Sequence, residues 1–288
     1  MGERLLVNSR QGERKNAKER IRKAHRKLAR ARGARGARHL FDCWPQVVRS
    51  LYSAQSIALF VDFDGTLTPL RERPSDVPPL DPSWRRILRR LARCKRLTFY
   101  AISGRQLAEL RKLVPVPGVR LLGLHGWEGR DVPPLDKERG LVRKARQLLQ
   151  QRLSKIPQIW LEDKGLGLAV HYRGAPLRSI RLARPIVLNV ARILGPHIHI
   201  LRGDKVWEIL PRQIDGKGTS VRALLSQEPP GMLPIFVGDD LTDEHAFAVL
   251  PHGLTVRVGK NLRTRARFLL RNPEEVKVFL QKLEVEIV

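Results

Sequence analysis

The chain is poor in cysteine, poor in acidic charge and free of long apolar runs. Only two cysteines, Cys43 and Cys94, occur in 288 residues. Two thiols build neither a disulfide framework nor a cysteine-based zinc site, and they fit a reducing, cytoplasmic setting. No uninterrupted apolar stretch approaches the roughly 18 residues from which a membrane-spanning helix is read. No apolar signal-peptide core follows Met1. The expectation is a chain with no membrane partner. Asp and Glu number 28 against 55 Lys and Arg, a formal charge of +27. A surplus of that sign attracts polyanions and phosphorylated molecules without specifying which.

What is present is a core-forming composition. Hydrophobic residues make up 42% of the chain, enough to pack two modest domains, or one domain with an insertion. The positive charge is partly local: residues 1–40 hold 14 Lys and Arg against three Glu. Residues 13–32 carry too few apolar positions for a core stripe, and Gly33-Ala34-Arg35-Gly36-Ala37-Arg38 follows as a short repeat. This basic N-terminal extension, 1–40, reads as a solvated arm or helix, as a contact for nucleic acid or an acidic surface, or as an organellar transit peptide. The scarcity of serine and the acids Glu3, Glu13 and Glu19 oppose the last.

From residue 41 strands alternate with helices. Apolar runs predict strands at 57–62, 97–102, 119–124, 235–237 and 254–258. Helices are expected at 45–51, from Pro82, at 105–113, from Thr242 and at 274–283, with Pro45 and Pro82 in first turns where a missing N–H costs nothing. This alternation means an α/β fold with a parallel sheet covered on both faces. Residues 129–211 break the pattern. Helices at 137–153 and 178–194, the latter interrupted by Pro185, accompany strands at 159–162, 167–172, 197–201 and 205–209, the last two a hairpin about Gly203-Asp204. Two antiparallel pairs with two helices describe an inserted α+β cap over a core of 41–128 and 212–288.

The chemistry sits in four separated segments: Asp62-Phe63-Asp64-Gly65-Thr66, Ile102-Ser103-Gly104-Arg105, Lys217-Gly218-Thr219-Ser220, and Val237 through Glu244 with its acids Asp239, Asp240 and Asp243. Each alone has an ordinary explanation: a turn, a helix cap, a surface lysine, acids at a helix N-terminus. Three of them directly follow a strand, where open α/β sheets place their sites. Phosphoryl transfer needs this set. A carboxylate is repelled by phosphate unless a cation intervenes, and Mg²⁺ prefers hard oxygen ligands. Asp62, the backbone oxygen of Asp64, and Asp239 are the candidate ligands, with Asp243 or Asp240 orienting the metal's waters. Ser103 and Lys217 would bind phosphoryl oxygens. Asp62 would attack and Asp64 would protonate the leaving alcohol.

These segments resemble the haloacid dehalogenase-type phosphatases. Gly123-Leu124-His125-Gly126-Trp127-Glu128, His171-Tyr172-Arg173, Val206-Trp207-Glu208-Ile209-Leu210-Pro211 and Gly238 through Phe247 narrow the resemblance to trehalose-6-phosphate phosphatases, over about residues 55–260. The resemblance implies a Rossmann-like core with a mobile cap, Mg²⁺ dependence, and hydrolysis of trehalose 6-phosphate with Asp62 as nucleophile and Asp64 as acid and base. A capped phosphatase for sucrose phosphate or mannosyl-phosphoglycerate is the neighbouring alternative. A disaccharide is read by directed hydrogen bonds. The candidates are Arg105, His125, Glu128, Lys164, His171, Arg173, Arg202 and Glu208. His245 departs from the family pattern, which commonly has an acid there. The length leaves no room for a fused glucosyl-transferring synthase.

Overall fold

The computed structural model describes residues 36–229, 231–260 and 263–288. Arg38–Asn261 with Arg265–Val288 form one compact unit, and every element below belongs to it. Of the other unit, residues 1–37 and 262–264, four residues are described, none in a helix or strand. The basic arm at 13–32 lies outside the described residues.

Strand β1 is Arg38–His39, two residues that the sequence reading places in the extension. Helix α1 is Trp44–Ser53 and β2 is Ser56–Asp62. Helix α2, Pro82–Arg93, is capped by Asp81, whose carboxylate accepts from the Ser83 and Trp84 amides. Its buried Trp84, Ile87, Leu88 and Leu91 recur at helical spacing and fix the face it presents. Then come β3 (Leu97–Ile102), α3 (Leu107–Leu113) and β4 (Arg120–Leu122). The strand expected at 119–124 stops early, because Leu124 and His125 turn into the left-handed region with φ of 43° and 58°.

The insertion holds α4 (Asp136–Leu153), β5 (Trp160–Asp163), β6 (Leu168–His171), α5 (Leu177–Ile193), β7 (Ile198–Gly203) and β8 (Val206–Pro211). Its strands form one four-stranded antiparallel sheet, ordered β5-β6-β8-β7, rather than two separate pairs. Pro185 stands within α5 and does not end it. The chain returns through α6 (Lys217–Leu225), β9 (Met232–Gly238), α7 (Leu241–Val249), β10 (Leu254–Val258), β11 (Phe268–Leu270) and α8 (Pro273–Ile287).

The large sheet has seven strands, ordered β1-β11-β10-β9-β2-β3-β4, and every pairing is parallel. Along β2 the side chains alternate. Ile57, Leu59 and Val61 pack under α1, α2 and α8, while Ala58 and Phe60 pack under α6 and α7. Burial on both faces explains the unbroken apolar run. In the cap, Leu168, Val170, Trp207 and Ile209 pack on α4 and α5. The opposite face of that sheet looks toward the core.

Phe60 stacks on Tyr100 at 4.6 Å and meets Phe236 at 6.3 Å, just before the strand reaches Asp62. Phe60→Ala is expected to lower stability by about 3–5 kcal/mol. Denaturant unfolding measures this, and a loss under about 1 kcal/mol would contradict it.

Candidate active site

Parallel register sets the site. Asp62 pairs with Ile102, so Ser103 lies beside Asp62, and Val61 pairs with Val237, which puts Asp239 at the same edge. Lys217 opens α6, and Asp243 lies in the first turn of α7. That helix is started by a capping box: the Asp240 carboxylate accepts from Leu241 N at 2.6 Å, and Asp243 accepts from Asp240 N at 2.8 Å. Asp243 is thereby aimed inward.

The Lys217 ammonium donates to Asp62 at 2.5 Å and to Asp243 at 2.7 Å, all three groups being buried. Carboxylate oxygens of Asp62, Asp239 and Asp243 lie within 4.8 Å of one another. Burial pushes the Asp62 carboxyl up to about 7, and Asp243 and Asp64 add to the rise while Lys217 opposes it. Burial and the neighbouring Asp62 and Asp243 also hold Asp239 well above its ordinary value. Burial works against the Lys217 charge, but Asp243 and Asp62 outweigh it and keep the ammonium protonated. One ammonium among three crowded carboxylates leaves negative charge unanswered, and a divalent cation fits that deficit.

The backbone leaves room for such packing only where glycine stands. A Cβ on Gly65 (φ +83°) would strike the Asp239 carboxylate, and one on Gly238 would strike that of Asp243. Thr66 Oγ1 donates to Asp239 at 3.1 Å and steadies it.

Asp64 stands apart from this group. Arg105 grips it with two bonds, Nε to Oδ2 and Nη2 to Oδ1, both 2.7 Å, and Arg105 also pairs with Glu109 and donates to Pro74 O. The carboxylate of Asp64 is therefore not a metal ligand here; the expectation for Asp64 concerned its backbone oxygen.

Core and cap meet through one buried ion network. His125 Nε2 contacts Glu208 Oε2 at 2.6 Å, and Lys164 Nζ donates to Glu208 Oε1 at 2.6 Å and to Gly104 O at 3.0 Å. Alternation along β8 turns Trp207 toward the cap helices and Glu208 toward the core. The same alternation brings His171 onto the cleft side, where it bonds Glu162 at 2.7 Å and stacks on Trp160 at 3.8 Å. One cleft is lined by Asp62, Asp64, Ser103, Arg105, His125, Lys164, His171, Arg173, Glu208, Lys217 and Asp239.

Two expected substrate residues stand outside it. Glu128 accepts from Leu107 N at 2.6 Å and serves the start of α3. Arg202 is exposed and pairs across β7 and β8 with Trp207, hence on the face away from Glu208. Sequence reasoning missed Glu162, Asp204 and the 70–72 loop as lining residues, whereas Asp240, expected beside the metal, does line the cleft. Glu162 was legible from alternation, two residues from Trp160 on β5; the loop carries no pattern.

A family model described as trehalose-phosphatase matches residues 60–267. The chain is similar to the trehalose-phosphate phosphatase of Mycobacterium ulcerans, 29% identical over 273 residues, 88% of this chain and 68% of that one. It is similar to the trehalose-6-phosphate phosphatase of Escherichia coli, 32% identical over 233 residues, 78% of this chain and 86% of that one. A crystal structure of a trehalose-6-phosphate phosphatase related protein superposes with a TM-score of 0.67 at 25% identity, covering 79% of this chain and 97% of the other.

Burial disfavours the Glu208 charge, yet His125 and Lys164 outweigh it and hold the carboxyl far below its usual 4.5. Its contribution to stability is therefore complete above about pH 4.5 and is lost as pH falls toward the depressed native value. Glu208→Gln should lower stability at pH 7 by roughly 3–5 kcal/mol. The gap between wild type and variant should narrow below about pH 4.5. Denaturant melts at pH 7 and pH 3.5 test this; a gap that widens on acidification would contradict it.

Proposed function

The chain belongs to the trehalose-phosphatase family, and from that membership we propose that it hydrolyses trehalose 6-phosphate to trehalose and phosphate, with Mg²⁺ bound at Asp62, Asp239 and Asp243. The single observation that carries this reading is the buried carboxylate cluster bridged by Lys217 at the carboxyl edge of the sheet. The cation, when bound, neutralises the carboxylates and draws the phosphoryl oxygens in.

The residues then divide the work. An Asp62 oxygen attacks phosphorus; the Asp62 O–P bond forms as the bond to the sugar oxygen breaks, and Asp64 gives that oxygen its proton. Water next attacks phosphorus, Asp64 takes its proton, and the Asp62 O–P bond breaks to release phosphate. Lys217 opposes the rise that burial imposes on Asp62 and holds the carboxylate in place, at 2.5 Å. Ser103, buried at the end of β3, donates to a phosphoryl oxygen. Arg105 keeps Asp64 parked until the phosphoryl group engages the guanidinium and frees the acid. His125, Lys164, His171, Arg173 and Glu208 bind the sugar hydroxyls; the cap insertion carries four of these five, His171 and Glu208 on its strands and Lys164 and Arg173 just beyond strand ends.

Among the described residues no helix is long and apolar enough to cross a membrane. Both cysteines are free, Cys43 buried and Cys94 half-buried, which supports a reducing cytoplasmic setting.

Phosphate release from trehalose 6-phosphate should require Mg²⁺, cease in EDTA and return on Mg²⁺ addition. Sucrose 6-phosphate should be turned over at least about tenfold less efficiently, because misplaced hydroxyls leave buried polar groups unpaired. Asp62→Asn should reduce kcat by at least about 10³-fold in a chain that still folds. Equal turnover of both sugar phosphates would remove the trehalose assignment, and activity that survives chelation would remove the metal.

A further inference from the structure

A second cavity, of about 400 Å³, opens where the core-to-cap connection passes between α3 and α4, and it shares no lining residue with the catalytic cleft. Three arginines line it: Arg111 from α3 in the core, Arg130 from the connection, and Arg139 from α4 in the cap. Among the described residues none of the three pairs with a carboxylate. The one acid in the lining, Glu128, already accepts from Leu107 N at 2.6 Å.

Arg130 is the least satisfied of the three. Its Nε is buried without a hydrogen-bond partner, and its guanidinium lies 5.8 Å from the Trp127 ring centroid. Burial alone depresses its basicity, with no carboxylate near enough to offset that cost. Three guanidinium groups and the one carboxylate of Glu128 leave this cavity a surplus of two positive charges, which a further anion would answer. A guanidinium fork matches the geometry of a phosphate face.

We propose that this cavity binds a tetrahedral oxyanion, either inorganic phosphate or the phosphoryl group of a phosphorylated metabolite, and that the anion ties α3 of the core to α4 of the cap. The stretch Val132-Pro133-Pro134-Leu135 forms one wall, so a bound anion stiffens the connection on which the cap is hung. Occupancy of this cavity and cap position are then linked, each altering the other by the same factor. The site stands independently of the phosphatase reading, since none of its residues touches the carboxylate cluster.

The test is calorimetric titration of inorganic phosphate, and separately of glycerol 3-phosphate, into the full Mg²⁺-loaded chain. Wild type is compared with Arg111→Gln/Arg139→Gln and with Arg130→Lys, which keeps the charge and removes the fork. Wild type should show a class of site beyond that of the cleft, weakened at least about tenfold in both variants. Without added phosphate, kcat and KM should stay within about twofold of wild type. Phosphate should slow amide hydrogen exchange across residues 129–135 in wild type and not in the double variant. Equal or tighter binding of the ester, lost in the variants, assigns the site to a phosphorylated metabolite. Binding of both probes that is the same in all three proteins, or exchange protection that survives in the double variant, would overturn the proposal.

Discussion

Everything at the sheet edge depends on one buried ammonium. Lys217 lies between Asp62 and Asp243 at 2.5 and 2.7 Å, and without it three carboxylates would face one another in a nearly dry pocket. Removing one partner from such a buried group is far more costly than losing a surface pair. The ammonium does not balance the cluster, however. Burial pushes the Asp62 carboxyl up to about 7, and burial with the neighbouring Asp62 and Asp243 holds Asp239 well above its ordinary value. A site left one cation short could hold a metal ion there, as the proposed function requires.

The scaffold concentrates these groups by simple means. A parallel sheet ends β2, β3 and β9 along one edge, so Asp62, Ser103 and Asp239 arrive together although they are far apart in sequence. Strand alternation in the cap sorts β8 by parity, with Trp207 to the cap core and Glu208 to the cleft. The two halves are then joined by His125, Lys164 and Glu208, a network whose members are all buried. Any movement of the cap must break or carry that network, which makes the contact a structural tie and, on the proposed function, the polar surface a sugar would meet.

Much of this is legible in the amino-acid sequence. The unbroken apolar run before Asp62 marks a strand buried on two faces, and the four acidic and basic segments each follow a strand or open a helix. Parallel topology was inferred correctly from alternation alone. Other features were not legible for physical reasons. Arg202 looked like a substrate residue because charge type says nothing of which face a strand residue occupies; its register opposite Trp207 decides that. Glu128 was read as a ligand, yet its carboxylate is used by the Leu107 amide, 21 residues earlier in the chain, a pairing that no short-range pattern announces. The short strands β1 and β11 carry only two and three residues, too few for any period to register.

The central claim is that Asp62 itself takes up the phosphoryl group. Acid-quenched single-turnover reaction with trehalose 6-phosphate and Mg²⁺, followed by proteolysis and mass spectrometry, tests it directly. The account predicts one phosphoryl group on the peptide that contains Asp62, present within the first turnover and absent when the metal is chelated. Complete release of phosphate in that turnover, with Asp62 unmodified at every quench time and a water oxygen delivered straight to phosphorus, would contradict it.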